Sequence, residues 1–293
     1  MDPFGTRLEA ALDQHGPVCA GLDPHASLLS AWGLDDDADG VRRFSQACVE
    51  AWAGRVALVK PQSAFYERHG SAGIAVLEET VAAFRAAGTL VLLDVKRGDI
   101  GSTAQAYAEA YLDPAAPLAV DAITASPFLG VGSLTPMVDL ARAHGAGLFV
   151  LALTSNPEAP QVQLARTTVG PDAGRTVATT VLAALAELNG ATPSGASGGA
   201  ANAPLGSFGA VVGATVAPSE ELTAALDFGG PVLMPGVGAQ GGTVAAVREL
   251  AGQARQRVVP SVSRELLGAG PDPQALREAA ASLNDTFRAA LRG

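Results

Sequence analysis

The chain has 293 residues, of which 48% are hydrophobic and 16% are charged, so its composition is that of a folded globular protein with a sizeable core. The formal net charge of −10 argues against a surface that binds nucleic acid, but it is compatible with a small, locally basic site for an anionic substrate. Cys19 and Cys48 fall in a predicted strand and a predicted helix, which favours buried thiols in a reducing, cytoplasmic compartment.

Neither the start nor the middle of the chain predicts contact with a membrane. The first residues, 1–5, show no basic segment followed by an apolar one, so we expect no signal peptide. The run 188–219 lacks the composition of a membrane span because it is rich in Gly, Ser, Pro and Asn.

Short apolar runs alternate with longer Ala- and Leu-rich runs along the whole chain. The predicted strands are Val18–Leu22, Val56–Lys60, Leu90–Asp94, Ala122–Thr124, Leu148–Leu153, Phe208–Gly213, Val232–Met234 and Val258–Pro260. The predicted helices are Arg7–His15, Val41–Ala53, Ala72–Ala87, Ser102–Leu112, Leu134–His144, Ala173–Leu188, Ser219–Leu226 and Thr243–Ala251. Eight such alternations predict an α/β fold, a (β/α)8 TIM barrel, with an extra N-terminal helix that plugs the bottom of the barrel.

The alternative fold is a doubly wound open sheet. No Gly-x-Gly-x-x-Gly follows the first predicted strand, where a dinucleotide-binding sheet would carry it. No linker divides the chain into two cores, so we expect residues 1–293 to form a single barrel domain. Residues 189–206 read as a Gly-, Ala- and Ser-rich insertion, which we expect to be a surface loop.

The segment Asp94–Thr103 carries the strongest functional signal. Side chains alternate along a strand, so Asp94 and Lys96 are expected on the same side, and Gly98 ends the strand before the loop that carries Asp99. Two carboxylates and an ammonium are thus gathered at the carboxyl end of a strand, which is where active sites form in parallel α/β proteins. The simpler alternative is an Asp–Lys salt bridge at a strand end.

Polar or glycine-rich segments follow most of the other predicted strands. The residues that we single out at these ends are Asp23, Lys60, Ser155, Pro235, Gly236, Gln240 and Arg264. Glycines in the loop 235–242, and a helix predicted to start at about Gly241, would present N–H groups to an anion. Because Arg264 could add a bidentate contact, we predict a phosphate site here, the alternative being a turn that only connects two elements.

Several of these segments together resemble one known family. They are Gly21-Leu22-Asp23-Pro24, Lys60-Pro61-Gln62-Ser63-Ala64-Phe65-Tyr66-Glu67, Asp94–Thr103, Leu153-Thr154-Ser155-Asn156-Pro157, Pro235–Gly242 and Ser263-Arg264. From about Phe4 to about Arg264 the chain is similar to orotidine 5′-phosphate decarboxylase in its longer bacterial (type 2) form. Two departures are Ser126-Pro127-Phe128, where the family usually has Asn-Pro-Tyr, and Ser261, where it tends to have Asn.

The resemblance implies a role for each matching residue. Lys60, Asp94, Lys96 and Asp99 would form a charged catalytic network, in which Lys96 protonates C6 as carbon dioxide leaves. The substrate-binding residues would be Asp23, Ile100, Thr103, Ser155, Pro235, Gly236, Gln240 and Arg264. The substrate implied is orotidine 5′-monophosphate, and the step implied belongs to de novo pyrimidine biosynthesis. In a homodimer, Asp99, Ile100 and Thr103 would reach the neighbouring subunit's site.

This chemistry requires no cofactor and no metal ion, and the four histidines show no ligand spacing. Two other functions stay open. One is a metal-dependent sugar-phosphate decarboxylase, aldolase or epimerase of the same barrel group. The enzymes of that group resemble this chain but use an acidic residue where Lys60 stands. The other is a non-catalytic nucleotide-binding barrel, which should have lost at least one of the four charged residues.

Overall fold

Eight parallel strands close into a barrel in the computed structural model, which describes residues 1–190, 204–238 and 241–292. The strands are β1 (Cys19–Leu22), β2 (Leu58–Pro61), β3 (Leu90–Arg97), β4 (Ala122–Ala125), β5 (Gly147–Leu153), β6 (Phe208–Val212), β7 (Val232–Pro235) and β8 (Val258–Val262). Each strand pairs with the next one in sequence, and β8 pairs with β1. The predicted barrel is therefore confirmed, and the open sheet is wrong.

Helices alternate with these strands and cover the outside of the barrel. They are α1 (Phe4–His15), α2 (Ala26–Ala31), α3 (Ala38–Trp52), α4 (Ala64–Glu67), α5 (Gly70–Ala86), α6 (Gly101–Leu112), α7 (Thr135–His144), α8 (Pro160–Gln163), α9 (Val177–Leu188), α10 (Glu220–Ala225), α11 (Val244–Ala251), α12 (Arg264–Leu267) and α13 (Pro273–Arg292). Short 3-10 turns cover Val131–Leu134 and Gly252–Arg257. None of the helices described is both long and apolar enough to cross a membrane.

Helix α1 closes the bottom of the barrel, as the sequence predicted. Its side chains Phe4, Leu8 and Leu12 are buried in one apolar cluster with residues that fill the barrel interior, among them Leu92 and Phe149. The Phe4 and Phe149 rings meet edge to face with their centroids 6.0 Å apart. Because α1 closes this end of the barrel, a site can open only at the other end, where the strands have their carboxyl ends.

A buried ion pair fixes α1 in this place. The Arg7 guanidinium lies 2.5 Å from the Asp121 carboxylate, and it also donates to the carbonyl oxygen of Gly145 at 2.9 Å. The second Asp121 oxygen accepts the N–H of Val91 on β3. One arginine thus ties the N-terminal helix to the start of two neighbouring strands.

The pairing of β3 with β4 is irregular at the point where the charged residues lie. Leu93 pairs with Ile123 and Arg97 pairs with Ala125, so β3 advances four residues over a stretch in which β4 advances only two. The extra residues form a bulge over Asp94–Lys96, opposite Thr124. Gly98 follows the bulge, and a Cβ there would collide with the carbonyl oxygen of Ser126.

Some predicted boundaries are wrong, and each error has a local reason. The helix predicted from Ala173 begins at Val177, because Thr176 is its N-cap and accepts the N–H of Thr179. The helix predicted as Thr243–Ala251, with a start as early as about Gly241 in the anion-site argument, begins at Val244, because Thr243 caps it in the same way. The insertion predicted at 189–206 falls mostly on 191–203, outside the described residues, so the single-domain assignment of residues 1–293 stays a prediction.

Candidate active site

Four of the charged residues singled out in the sequence meet at the carboxyl ends of β1, β2 and β3. Asp94 and Lys60 are almost fully buried there, with 7% and 5% of their surface exposed, and the Lys60 ammonium lies 3.8 Å from the Asp23 carboxylate. The Lys96 side chain is about half exposed and faces Asp94. The expectation that Asp94 and Lys96 share one side of the strand is confirmed.

The Asp94 carboxylate is the centre of this cluster and accepts four hydrogen bonds. One oxygen accepts from the Lys60 ammonium at 3.0 Å and from the Gln62 amide at 2.9 Å. The other accepts from the Lys96 ammonium at 2.6 Å and from the Thr124 hydroxyl at 2.7 Å. A buried carboxylate is stable only with such compensation, and two ammonium groups supply most of it.

These contacts keep the cluster ionised. Burial alone would raise the pKa of Asp94, but the ammonium groups of Lys60 and Lys96 and the hydrogen bonds from Lys96 and Thr124 hold that pKa well below its usual range. Burial alone would lower the pKa of Lys60, but the Asp94 and Asp23 carboxylates outweigh burial and raise that pKa above its usual range. The buried part of the site therefore presents the Asp94 carboxylate paired with the Lys60 ammonium at neutral pH.

Sequence reasoning did not single out Gln62 and Thr124 as site residues. A signal for Gln62 was present, since it lies two residues after Lys60 and side chains on a strand alternate. Thr124 is the polar residue of an otherwise apolar strand, Ala122–Ala125, which is also a detectable signal. What no pattern shows is the register that puts Thr124 against the β3 bulge.

Asp99, Ile100 and Thr103 do not join the cluster within this chain. Among the described residues the Asp99 carboxylate takes part in no ion pair, and it accepts the N–H of Ile100 at 2.8 Å. Ile100 is 62% exposed, and Thr103 is exposed on the first turn of α6. The sequence prediction that these residues act in a neighbouring subunit's site is not tested by one chain.

Ser155 is exposed in the segment that follows β5. Its backbone lies against Gly213, at the end of β6, where a Cβ would come within 2.9 Å of the Ser155 nitrogen. Ser155 also lines a cavity of about 400 Å³ between the segments after β5 and β6, together with Thr154, Asn156 and Thr215. The residues that line this cavity do not include the Asp94 cluster.

The loop after β7 is a tight glycine turn. Gly236 and Gly238 have φ values of 96° and 71°, a region that side chains disfavour. The N–H groups of Gly238, Gly241 and Gly242 donate to carbonyl oxygens inside this loop at 2.8–3.0 Å. An anion at this loop would therefore depend mainly on other donors, and Gln240, the amide predicted to contact phosphate, lies outside the described residues.

Arg264 stands beside this loop. It is exposed as the first residue of α12, directly after β8, and its neighbour Glu265 packs so closely on Gly238 that a Cβ at Gly238 would collide with the Glu265 carboxylate. The loop after β7 and the start of α12 thus form one surface at the carboxyl ends of β7 and β8. Barrels commonly bind phosphate at this place.

Comparison with known proteins agrees with this geometry. The family model described as "Orotidine 5'-phosphate decarboxylase / HUMPS family" matches residues 16–279. The chain belongs to this family. Among its relatives, the orotidine 5′-phosphate decarboxylase of a Nocardioides species is 59% identical over 288 residues, covering 98% of this chain and all of the relative.

Further relatives of the orotidine 5′-phosphate decarboxylase family match over similar lengths. The orotidine 5′-phosphate decarboxylase of Streptomyces coelicolor is 56% identical over 292 residues, covering all of this chain and 98% of the relative. A crystal structure from Streptomyces avermitilis, provisionally named orotidine 5′-phosphate decarboxylase, superposes with a TM-score of 0.90 at 55% identity and covers 100% of this chain and 97% of its own. Among the described residues of this family member, no cluster of three or more His, Cys, Asp or Glu could hold a metal ion.

Proposed function

We propose that this protein is a lyase that decarboxylates orotidine 5′-monophosphate to UMP and carbon dioxide, the step that forms UMP in pyrimidine biosynthesis. The observation that carries the proposal is the buried Asp94 carboxylate held between Lys60 and Lys96, in a chain that belongs to this decarboxylase family. The roles of the remaining residues of the site are proposed from this chemistry and from the family to which the chain belongs.

Lys96 is the proton donor in this proposal. Breaking the bond between C6 and the carboxyl carbon leaves the electron pair on C6, where no adjacent carbonyl can delocalise it. An ammonium fixed beside C6 stabilises that charge and then donates its proton to C6, which completes UMP. Lys96 suits this task because its ammonium is accessible from the mouth while Asp94 fixes its position.

Asp94 and Lys60 prepare the site for that step. Asp94, whose pKa is held well below its usual range, would lie against the substrate carboxylate and be relieved of that repulsion as carbon dioxide leaves. Lys60 balances the charge of Asp94 and of Asp23, whose carboxylate has a buried oxygen without a hydrogen-bond partner among the described residues. We assign the Asp23 carboxylate to a hydrogen bond from a ribose hydroxyl, beside its contact with Lys60.

Binding energy from the phosphate is the second source of catalysis. Arg264, with Gln240 and the segment that starts at Pro235 and Gly236, would hold the 5′-phosphate, and Ser155 would contact the pyrimidine edge. Energy from these remote contacts can offset the cost of bringing the substrate carboxylate next to Asp94. No cofactor and no metal ion take part in this scheme.

The enzyme is proposed to act as a homodimer that shares its sites. The loops after β3 and β4 adjoin each other, since the N–H of Ser126 donates to the carbonyl oxygen of Arg97 at 2.8 Å. Three apolar side chains stand exposed on these loops, Ile100 (62%), Phe128 (78%) and Leu129 (53%). A second copy covering this patch would bring Asp99, Ile100 and Thr103 to the neighbouring mouth.

A cytoplasmic location is part of the same proposal. Cys19 and Cys48 are buried free thiols, and burial raises the pKa of the Cys19 thiol to about 12. Such thiols suit a reducing compartment. Export of the folded chain with an engineered secretion signal, followed by measurement of its activity, would show whether an oxidising compartment is tolerated.

The function is tested by mixing purified protein with orotidine 5′-monophosphate and following pyrimidine absorbance, with UMP identified by chromatography. We expect turnover that is unchanged after treatment with EDTA. Turnover of a sugar phosphate that stops with EDTA would instead identify a metal-dependent enzyme of the same barrel group. Binding of UMP without turnover of orotidine 5′-monophosphate would identify a non-catalytic nucleotide-binding barrel.

A further inference from the structure

Lys96 has an unusual backbone conformation. Its φ is 46°, and it is the only non-glycine residue with a positive φ in the described part of the chain. A residue with a Cβ adopts this conformation at an energetic cost, so surrounding contacts must hold it there. The bulge of β3 at this position also interrupts the ladder to β4, which would leave the Lys96 N–H without its usual strand partner.

Thr124 supplies the missing partner. The Lys96 N–H donates to the Thr124 hydroxyl oxygen at 2.9 Å, and that hydroxyl donates to the Asp94 carboxylate at 2.7 Å. The directions are fixed, because an N–H can only donate and an ionised carboxylate can only accept. Thr124 is 1% exposed, so water does not compete for either bond.

The Thr124 hydroxyl and the Lys96 ammonium donate to the same oxygen of Asp94. That oxygen accepts from the Lys96 ammonium at 2.6 Å as well as from Thr124, while Lys60 and Gln62 donate to the other oxygen. Thr124 therefore contacts Asp94, which fixes the Lys96 ammonium, and also the backbone N–H of Lys96 itself. Because about half of the Lys96 side chain is exposed, the position of its ammonium depends on these two anchors.

We propose that Thr124 is a positioning residue, whose hydroxyl locks the strained Lys96 backbone and the Asp94 carboxylate so that the Lys96 ammonium meets C6. The inference rests on the proposed decarboxylation and adds a neutral group to its charged network. Misplacement of a catalytic group by about 1 Å can cost about 100-fold in rate. The loss expected without the hydroxyl therefore falls on turnover more than on substrate binding.

The central variant is Thr124→Val, which keeps the shape of the side chain and removes the hydroxyl. We expect kcat for orotidine 5′-monophosphate to fall about 10- to 100-fold, with KM and the Kd for UMP changed less than about threefold. Thr124→Ser, which keeps the hydroxyl, should stay within about threefold of the wild-type kcat. Thr124→Cys, with its weak S–H donor, should fall between the two variants.

Thr89→Val is the matched control. Thr89 is also a buried threonine, 2% exposed, and its hydroxyl accepts a backbone N–H, that of Gly54 at 2.7 Å, at the opposite end of β3. This variant loses a bond of the same kind far from the site, and we expect its kcat within about twofold of wild type. Equal losses of kcat in Thr89→Val and Thr124→Val would show a general effect of packing and overturn the proposal.

Other outcomes overturn the proposal directly. A Thr124→Val enzyme with wild-type kcat, or a Thr124→Ser enzyme as slow as Thr124→Val, would show that the hydroxyl does not position Lys96. If Thr124→Val does not fold, the comparison of Thr124→Ser with Thr124→Cys decides, because equal kcat values in those two variants contradict the hydrogen bond.

A measurement without substrate separates this inference from the proposed function. Hydrogen exchange of the peptide carrying Lys96 should be faster in Thr124→Val than in wild type, and unchanged in Thr124→Ser and Thr89→Val. A wild-type protein that is inactive on orotidine 5′-monophosphate would contradict the proposed function and leave this exchange result intact. Unchanged exchange in Thr124→Val would contradict the backbone lock even in a fully active enzyme.

Discussion

At the residue scale, the Asp94 carboxylate divides its two oxygens between two ammonium groups and two neutral donors. The alternation of side chains along a strand predicted that Asp94 and Lys96 lie on one side, and they do meet, although in a bulge where Lys96 has a positive φ and not in a regular strand. The contribution of Thr124 could not be predicted, because it depends on the register between two strands and on a bulge. Short-range patterns thus predict the charged pair, and long-range pairing decides which neutral groups support it.

The first prediction concerns Lys96. In Lys96→Ala the site loses both the cation and the proton donor, so we expect decarboxylation to become undetectable in steady-state assays while UMP still binds. Turnover is measured by pyrimidine absorbance and binding by calorimetry. A variant that keeps more than about a tenth of wild-type kcat would contradict the role, since a tenfold loss corresponds to only about 1.4 kcal/mol.

The second prediction concerns Arg264 and the phosphate. Removing a charge-assisted contact in Arg264→Ala should cost about 1.5–3 kcal/mol, which is about 10- to 150-fold in kcat/KM for orotidine 5′-monophosphate. Arg264→Lys should recover part of this loss, because it keeps the charge without the planar fork. The control is the nucleoside orotidine, which lacks the phosphate and should be turned over equally slowly by wild type and variant. An equal loss with both substrates would place Arg264 away from the phosphate.

At the element scale, the eight strands and the helices between them were largely predictable, because buried parallel strands are continuous apolar runs and the helices are Ala- and Leu-rich. Boundaries were less predictable where a side chain caps a helix. Thr243 accepts the N–H of Ala246 and puts the start of α11 at Val244, one residue after the start of the predicted helix Thr243–Ala251. Several N–H groups of the glycine segment before α11 are used within the loop.

The third prediction concerns α1 and its ion pair. In Arg7→Met the Asp121 carboxylate, which is 8% exposed, stays buried without its cation. Breaking a buried pair costs about 3–5 kcal/mol, and because Arg7 itself is partly exposed we expect the free energy of unfolding to fall by about 2–3 kcal/mol. Urea denaturation measures this change, and kcat should be unaffected because Arg7 lies at the opposite end of the barrel.

Arg42→Met is the control for this change. Arg42, which is partly exposed, pairs with the exposed Glu79 at the surface, so the loss should be only about 0–1 kcal/mol. Equal destabilisation in the two variants would mean that Arg7 does not have a special part in fixing α1.

At the scale of the whole molecule, Asp99 stands apart from the charged cluster of its own chain. Asp99 lies five residues after Asp94 and joins no ion pair in the described part of its own chain. The sequence could suggest a partner only through its family resemblance, because the docking of two subunits has no signature in local periodicity. The exposed apolar patch of Ile100, Phe128 and Leu129 is the physical reason to expect that partner.

The fourth prediction tests whether two subunits share each site. Lys96→Ala and Asp99→Ala proteins should each be nearly inactive, because every site in either homodimer carries one lesion. A mixed dimer would hold one site with both lesions and one site with neither. Since random exchange makes half of the dimers mixed, up to about a quarter of wild-type activity should return on mixing.

Native mass spectrometry provides the control for this experiment by counting the mixed dimers. Mixed dimers without activity would show that Asp99 acts within its own subunit. Recovery of activity in the absence of any dimer would equally exclude a shared site.

The closure of the barrel bottom by α1 affects how substrate and products enter and leave the enzyme. With Phe4, Leu8 and Leu12 packed on the side chains that fill the interior, the described residues close the barrel at its bottom, and the site opens at the mouth. Nucleotide entry, carbon dioxide escape and the return of a proton to Lys96 from solvent would then all use that opening. A movement that excludes water from the site during the reaction would also retain carbon dioxide. Carbon dioxide and UMP would then leave when the mouth opens again.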